Sequence, residues 1–419
     1  MAMVALLSAA VAPASLLGQT DVRLRVTTEG RLLIRIGFLE PEKMPEGALA
    51  EYRAVFMKTL SADLDMSGYF EIVGDALKDN PGVTVEVGVL SGTEDATFDI
   101  DLKDRTSGNT IFRRRYGAAA DRVSGVAHVV ADDIVYALTG RMGIADTRLA
   151  FVAGEKGQSN LYTVHIDGSQ LARLTDTPTI VMSPAWSPDA QRLAYVSYET
   201  GSPAIYVVDL DRRTTTKFAS FEGMNATPEW SPDGKSLALT LSKDGNPEIY
   251  VISLDGKTRT RLTNFSGIDC SPTWAPNGAE LAFTSDRTGS PQIFITDLEG
   301  SSARRITYEG SYNTSPAWSP EGDLIAFVSR IDGRFQICTV DPFGVTTTTL
   351  TEEGNNEYPG WSPDGMHIVF SSTGGGDSGI YIMNRDGSGK RRVFDRLKNA
   401  RDASWTLEPR RGGSEPVEG

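Results

Sequence analysis

The chain has 419 residues, 40% hydrophobic and 8% aromatic, with a formal charge of −14, 42 glycines and two cysteines. That length is too great for one ordinary core and points to two or three domains, and the glycine content points to many tight turns between short strands. A negative chain without a run of Lys/Arg argues against nucleic acid, which needs a clustered basic surface; Cys270 and Cys338, 68 residues apart, offer neither metal-ligand spacing nor a redox pair.

Residues 3 to 18 are almost wholly apolar yet short for a membrane span, and they run past Ala12-Pro13-Ala14, a small-x-small pattern that a signal peptidase could cut. An export signal is therefore expected over 1–14, an extended segment over 15–29, and a mature periplasmic chain without a membrane span. Residues 30–141 read as a small α/β domain. Strands are expected at 32–38, 69–73, 83–90, 96–102 and 110–116. Helical spacing of Leu49, Tyr52, Val55, Phe56, Leu60 and Leu64 predicts one helix, and Val126, Val130, Ile134 and Leu138 a second.

From there the pattern changes to a repeat. Tryptophans stand at 186, 230, 274, 318, 361 and 405, with spacings of 44, 44, 44, 43 and 44. The first five open one phrase, as in Trp230-Ser231-Pro232-Asp233-Gly234, in which Ser bonds the turn backbone, Pro presets φ, Asp suits the third position and Gly closes. Seven residues after each of these Trp a short apolar strand begins, such as Leu237–Leu241, followed by a Gly-containing hairpin, a second strand and an outer strand. Four strands in about 44 residues make one propeller blade. Leu149–Ala153 opens a blade with Met142 where its Trp should be, and Trp405 has no blade after it. The two ends complete each other, giving an all-β six-bladed β-propeller over 147–408 closed by the strand around Trp405, with a disordered tail over 409–419.

Enzyme signatures are not found. His128, His165 and His367 are expected to lie far apart in the fold, so that no pair of them makes a metal site or a nucleophile's base. Gly376-Asp377-Ser378-Gly379-Ile380 lacks the last Gly of a nucleophile elbow, and Gly256-Lys257-Thr258 lacks the first Gly of a phosphate loop. No cofactor, metal or catalytic residue is assigned; Cys338 is expected to fill a core slot. Carboxylates lining the channel leave a hydrolase open as an alternative.

The junction Ala127-His128, Asp132, Leu138-Thr139-Gly140, Gly143 and Thr147-Arg148, with Leu60, Asp63, Leu64, Ser67, Gly68 and Phe70 upstream, resembles the TolB family, the periplasmic propellers of the Tol-Pal system. The resemblance implies a monomeric protein-binding component. Its propeller would hold the peptidoglycan-associated lipoprotein Pal and its N-terminal strand would communicate with the inner-membrane protein TolA, in support of outer-membrane integrity and invagination at division. It implies partner contacts from loops entering the innermost strands: Asn225, Ala226 and Thr227; Asp269, Cys270 and Ser271; Asn313, Thr314 and Ser315; Asn356, Glu357 and Tyr358. Those segments differ from repeat to repeat while the Trp turns do not, as a heterogeneous binding surface on a regular scaffold would, or as loops under no constraint would. A TolB-like propeller serving another envelope complex is the competing reading.

Overall fold

The computed structural model describes residues 24–26, 32–91, 96–155, 157–300, 302–374 and 378–407. The expected export signal, all of the 15–29 segment except the backbone of 24–26, and the 409–419 tail lie outside the described residues. The chain divides into two compact units between Val130 and Ala131, inside a helix. Among the described residues no helix is long and apolar enough to cross a membrane.

The first unit is a mixed sheet with helices. Strand β1 (Leu24–Val26) pairs antiparallel with β2 (Leu32–Leu39). Helix α1 (Ala48–Met66) leads to β3 (Phe70–Val73), parallel to the first half of β2, and then to β4 (Val83–Ser91), parallel to its second half. Strands β5 (Ala96–Asp104) and β6 (Thr110–Ala118) continue as an antiparallel meander, so β6 forms one edge of the sheet. Burial along β5 alternates strictly, as a strand with one covered face requires. The apolar stripe of α1 buries Phe56, Leu60 and Leu64, and Phe56 stacks on Phe98 of β5 at 4.2 Å. The helix stops where Ser67 Oγ donates to the Leu64 carbonyl at 2.6 Å and Gly68 takes φ 75°. Helix α2 (Val123–Thr139) is tied to α1 by His128 Nδ1 and Asp63 Oδ2, 2.7 Å apart and both buried.

The second unit is six four-stranded antiparallel sheets. The closing sheet is made of Arg401–Leu407 against Thr147–Glu155, with Trp405 opposite Leu149, so the first blade joins both ends of the propeller as expected. The other blades, the second to the sixth, have innermost strands Val181–Trp186, Asn225–Trp230, Asp269–Trp274, Asn313–Trp318 and Asn356–Trp361.

The core lies between blades. Trp230 of the third blade packs with Ala185, Val196 and Ile205 of the second, and Trp318 of the fifth with Ile293 and Ile295 of the fourth. Each fully buried aliphatic chain contributes on the order of 1.5–3 kcal/mol, so a blade is stable only against its neighbour. Every buried indole N–H also needs an acceptor. Trp230, Trp274 and Trp361 donate to the carbonyls of Ala185, Glu229 and Ala317 on the preceding blade, at 3.0, 3.4 and 2.9 Å. The 44-residue tryptophan period is thus the period of inter-blade packing, reinforced by an indole hydrogen bond to the preceding blade at three of the six positions. Trp318 turns to the carbonyl of Gly322 in its own turn, 3.4 Å away, and Trp405 to Thr147 Oγ1 at 2.8 Å.

The turn after each Trp closes as its chemistry dictates. In the third blade Gly234 N–H donates to the Ser231 carbonyl, and Ser231 Oγ accepts from Ser236 N–H and donates to Asp233. Glycine takes φ 67–77° in four of these turns; the second blade has Ala190 instead, at φ 55°. The entry to the first blade uses the junction motif: Asp132 accepts from Ala145 and Asp146 N–H at 2.8 and 3.0 Å, and a Cβ on Gly143 would stand 2.1 Å from Asp132 Oδ1.

Candidate protein-binding mouth of the propeller

A four-stranded meander sends its first and third turns to one end and its hairpin to the other. The Trp turns therefore open on one mouth of the central channel, and the segments entering the innermost strands, with the middle hairpins, on the opposite mouth. The twelve sequence-derived residues all map there, but they are not loops: each triplet is the first three residues of an innermost strand.

The three positions differ. The first is buried in every repeat: Asn225, Asp269, Asn313 and Asn356 are each 0% exposed. Asn225 Nδ2 donates to the Phe221 carbonyl at 2.7 Å; Asn313 and Asn356 reach Gln292 Oε1 and Gln336 Oε1 at 2.8 and 3.0 Å; Asp269 receives Arg287 at 2.9 Å. These side chains anchor the entering segment and are not exposed, since a buried polar side chain is satisfied internally. They also repeat almost without change, so the variation between repeats lies at the second and third positions. The second position, Ala226, Cys270, Thr314 and Glu357, is half-buried. Burial pushes the Cys270 thiol and the Glu357 carboxyl up.

The third position carries the unusual geometry. Thr227, Ser271, Ser315 and Tyr358, with Ser183 and Asp402 in the other two blades, are all left-handed, at φ 45–56°. Five of them precede proline, which disfavours the right-handed helical region, and the inner strand is bulged there in each blade. A left-handed non-Gly residue costs roughly 1–2 kcal/mol, and four of the six are held by cross-blade bonds. Ser271 N–H donates to Thr240 Oγ1 and Ser315 N–H to Thr284 Oγ1, both at 3.1 Å; Asp402 N–H donates to Ser371 Oγ at 2.9 Å. At the corresponding register positions the second and fifth blades have Val196 and Val328. Across the closing seam the Asp402 carboxylate takes the acceptor role, receiving Ser183 N–H at 2.5 Å.

This ring lines a channel of about 560 Å³ that also reaches the tryptophans and their turns. Glu229 and Asp402 are its ionisable carboxyls, and no Lys, Arg or His is among the described lining residues. Burial pushes Glu229 up to about 7 and Asp402 up to about 6, the latter against the opposing pull of Ser183 N–H. Tyr358 is pushed to about 12, also by burial. Sequence reasoning missed both carboxyls, although each departs from its repeat column: Glu229 stands where Ala185, Thr273, Ala317, Gly360 and Ser404 do, and Asp402-Ala403 replaces a residue-Pro pair.

It also missed the exposed apolar residues beside the triplets. Met224 and Ile268, immediately before Asn225 and Asp269, are 42% and 48% exposed; Tyr358, already one of the twelve, is 38% exposed. The signal was an apolar residue at the end of an otherwise polar loop, in Glu222-Gly223-Met224 and Ser266-Gly267-Ile268.

Comparison with known proteins agrees with this architecture. The family model "TolB beta propeller domain" matches residues 135–408. The Tol-Pal system protein TolB of Geobacter sulfurreducens is 36% identical over 207 residues, 45% of this chain and 48% of that protein. That of Dechloromonas aromatica is 33% identical over 192 residues, 42% of this chain and 44% of that protein. The matched part thus spans about half the length of these curated relatives. The crystal structure of TolB from Acinetobacter baumannii superposes with a TM-score of 0.79 at 29% identity, covering 92% of this chain and 100% of that one. The two-unit architecture, the six-bladed ring and these matches together show that the chain belongs to the TolB β-propeller family.

Proposed function

We propose that this protein is a non-enzymatic, monomeric periplasmic component of a Tol-Pal system that binds a Pal-like outer-membrane lipoprotein at the mouth carrying Met224, Ile268 and Tyr358. In this reading it links to TolA through the segment before β2, in support of outer-membrane integrity and invagination at division. The observation that carries the binding surface is the exposed apolar rim on a strongly anchored scaffold: the first residue of each triplet is buried and fixed, while Met224 and Ile268 face solvent. Apolar anchors in a rigid polar rim are what protein interfaces use.

The test is titration calorimetry of the protein with a purified Pal-like lipoprotein domain. Met224→Asp with Ile268→Asp should weaken binding more than a hundredfold, because an unpaired charge buried in an interface costs roughly 3–5 kcal/mol. Melting should hardly change, since exposed substitutions stay within about 0.5 kcal/mol. Wild-type affinity in the folded variant would remove this mouth as the docking face. Recovery of unrelated envelope proteins alone in a pull-down would favour another complex.

A further inference from the structure

We propose that the free edge of β6 in the first unit is a docking strand for an extended, acidic segment of a partner protein. Strand β6 is nine residues long and, among the described strands, is hydrogen-bonded on one side only, to β5. A long open edge offers a row of backbone donors and acceptors, which proteins either blunt or use to add a foreign strand. Its middle is Arg113-Arg114-Arg115, all exposed.

The side chains state the chemistry of the incoming strand. On the outer face Arg113 lies opposite Asp101 and Arg115 opposite Asp99, and both pairs are ion-paired, Arg115 through Nε at 2.5 Å and a second nitrogen at 3.0 Å. Asp99-Ile100-Asp101 of β5 is thus a worked example of what pairs with this arginine row. A strand on the other side of β6 with acids at two alternate positions would place each guanidinium between two carboxylates, and each guanidinium has five N–H donors to share.

On the opposite face Arg114 stands in register with fully buried Ile100, its guanidinium 5.5 Å from the ring centre of Phe112. A charge on the apolar side of an edge strand discourages apolar strands from adding there. A second copy of this chain is also disfavoured, because antiparallel pairing of two β6 strands about Arg114 sets Arg113 against Arg115. The occupant left is a different, acidic chain.

The probe is the peptide Ala-Thr-Phe-Asp-Ile-Asp-Leu-Lys-Asp, copied from β5, added to the full-length protein and followed by hydrogen exchange with mass spectrometry. Segment 110–118 should gain protection. The same peptide with Asn for its three Asp should bind roughly tenfold more weakly, as should the acidic peptide to Arg113→Gln with Arg115→Gln. Added salt should weaken the wild-type complex. No protection at millimolar peptide, equal binding of the two peptides, or protection confined to other segments would each overturn the proposal. If the double variant fails to fold, the two-peptide comparison on the wild-type chain carries the same decision.

Discussion

Replacing Asp402 by Asn should stabilise the propeller at neutral pH. Asp402 sits at the seam where the ring closes, left-handed at φ 56°, with its carboxyl pushed from 3.8 to about 6 by burial. The folded state therefore holds this proton more tightly than the unfolded chain. The resulting cost is absent below about pH 4, develops as pH rises toward 6, and is complete above it. Two pKa units correspond to at most about 3 kcal/mol. Asn keeps a carbonyl oxygen to receive Ser183 N–H and tolerates the left-handed conformation, so neither the bond at 2.5 Å nor the backbone need change. Asp402→Asn should raise the melting temperature at pH 7.5, at about 2–4 °C per kcal/mol for a unit of this size, and leave it unchanged at pH 4. Scanning calorimetry of both proteins from pH 4 to 8 reads the difference. A variant that melts lower than wild type at pH 7.5, or by an equal margin at every pH, would show that the charged carboxylate is what the seam requires.

Glu229→Gln follows the same logic over a higher window: with the carboxyl moved from 4.5 to about 7, stabilisation should be absent below about pH 4.5 and reach at most about 3 kcal/mol at pH 8, read by urea titration. Ala190→Gly should stabilise by up to about 1 kcal/mol in equilibrium unfolding, since alanine at φ 55° occupies a conformation that glycine takes in four sister turns. Removing residues 400–419 should abolish cooperative unfolding of the propeller by deleting the strand that pairs with Thr147–Glu155, whereas removing 410–419 should not. Equal melting of the two truncations would count against closure by that strand.

The ring was legible in the sequence because its strongest packing contact, a tryptophan between two blades, recurs in each blade and brings its own turn with it. The small domain was legible from periodicity, and its strands and helices end within a few residues of expectation. The site was only half legible. Asn225, Asp269, Asn313 and Asn356 read as variable binding residues, since a short polar side chain gives no sign from sequence of whether it faces water or a buried loop carbonyl. The left-handed ring was invisible for a related reason: Ser183, Thr227 and Tyr358 are residue types with no shared preference for that conformation, which accompanies the bulge in every blade, including the first, where Asp402 precedes Ala403 and not proline. The junction residues, by contrast, are explained by structure: Asp132 fastens two backbone N–H groups and excludes a side chain at Gly143.

The hydroxyls of Thr240, Thr284 and Ser371, set against Val196 and Val328, give the ring unequal joints. At the left-handed residues three joints carry a neutral hydrogen bond and the seam an ionisable one, while the joints at Val196 and Val328 are bridged elsewhere, by the indoles of Trp230 and Trp361 and by Asn356 with Gln336. The sixfold repeat seen in the sequence thus conceals three kinds of contact at the left-handed residues, arranged around a single opening.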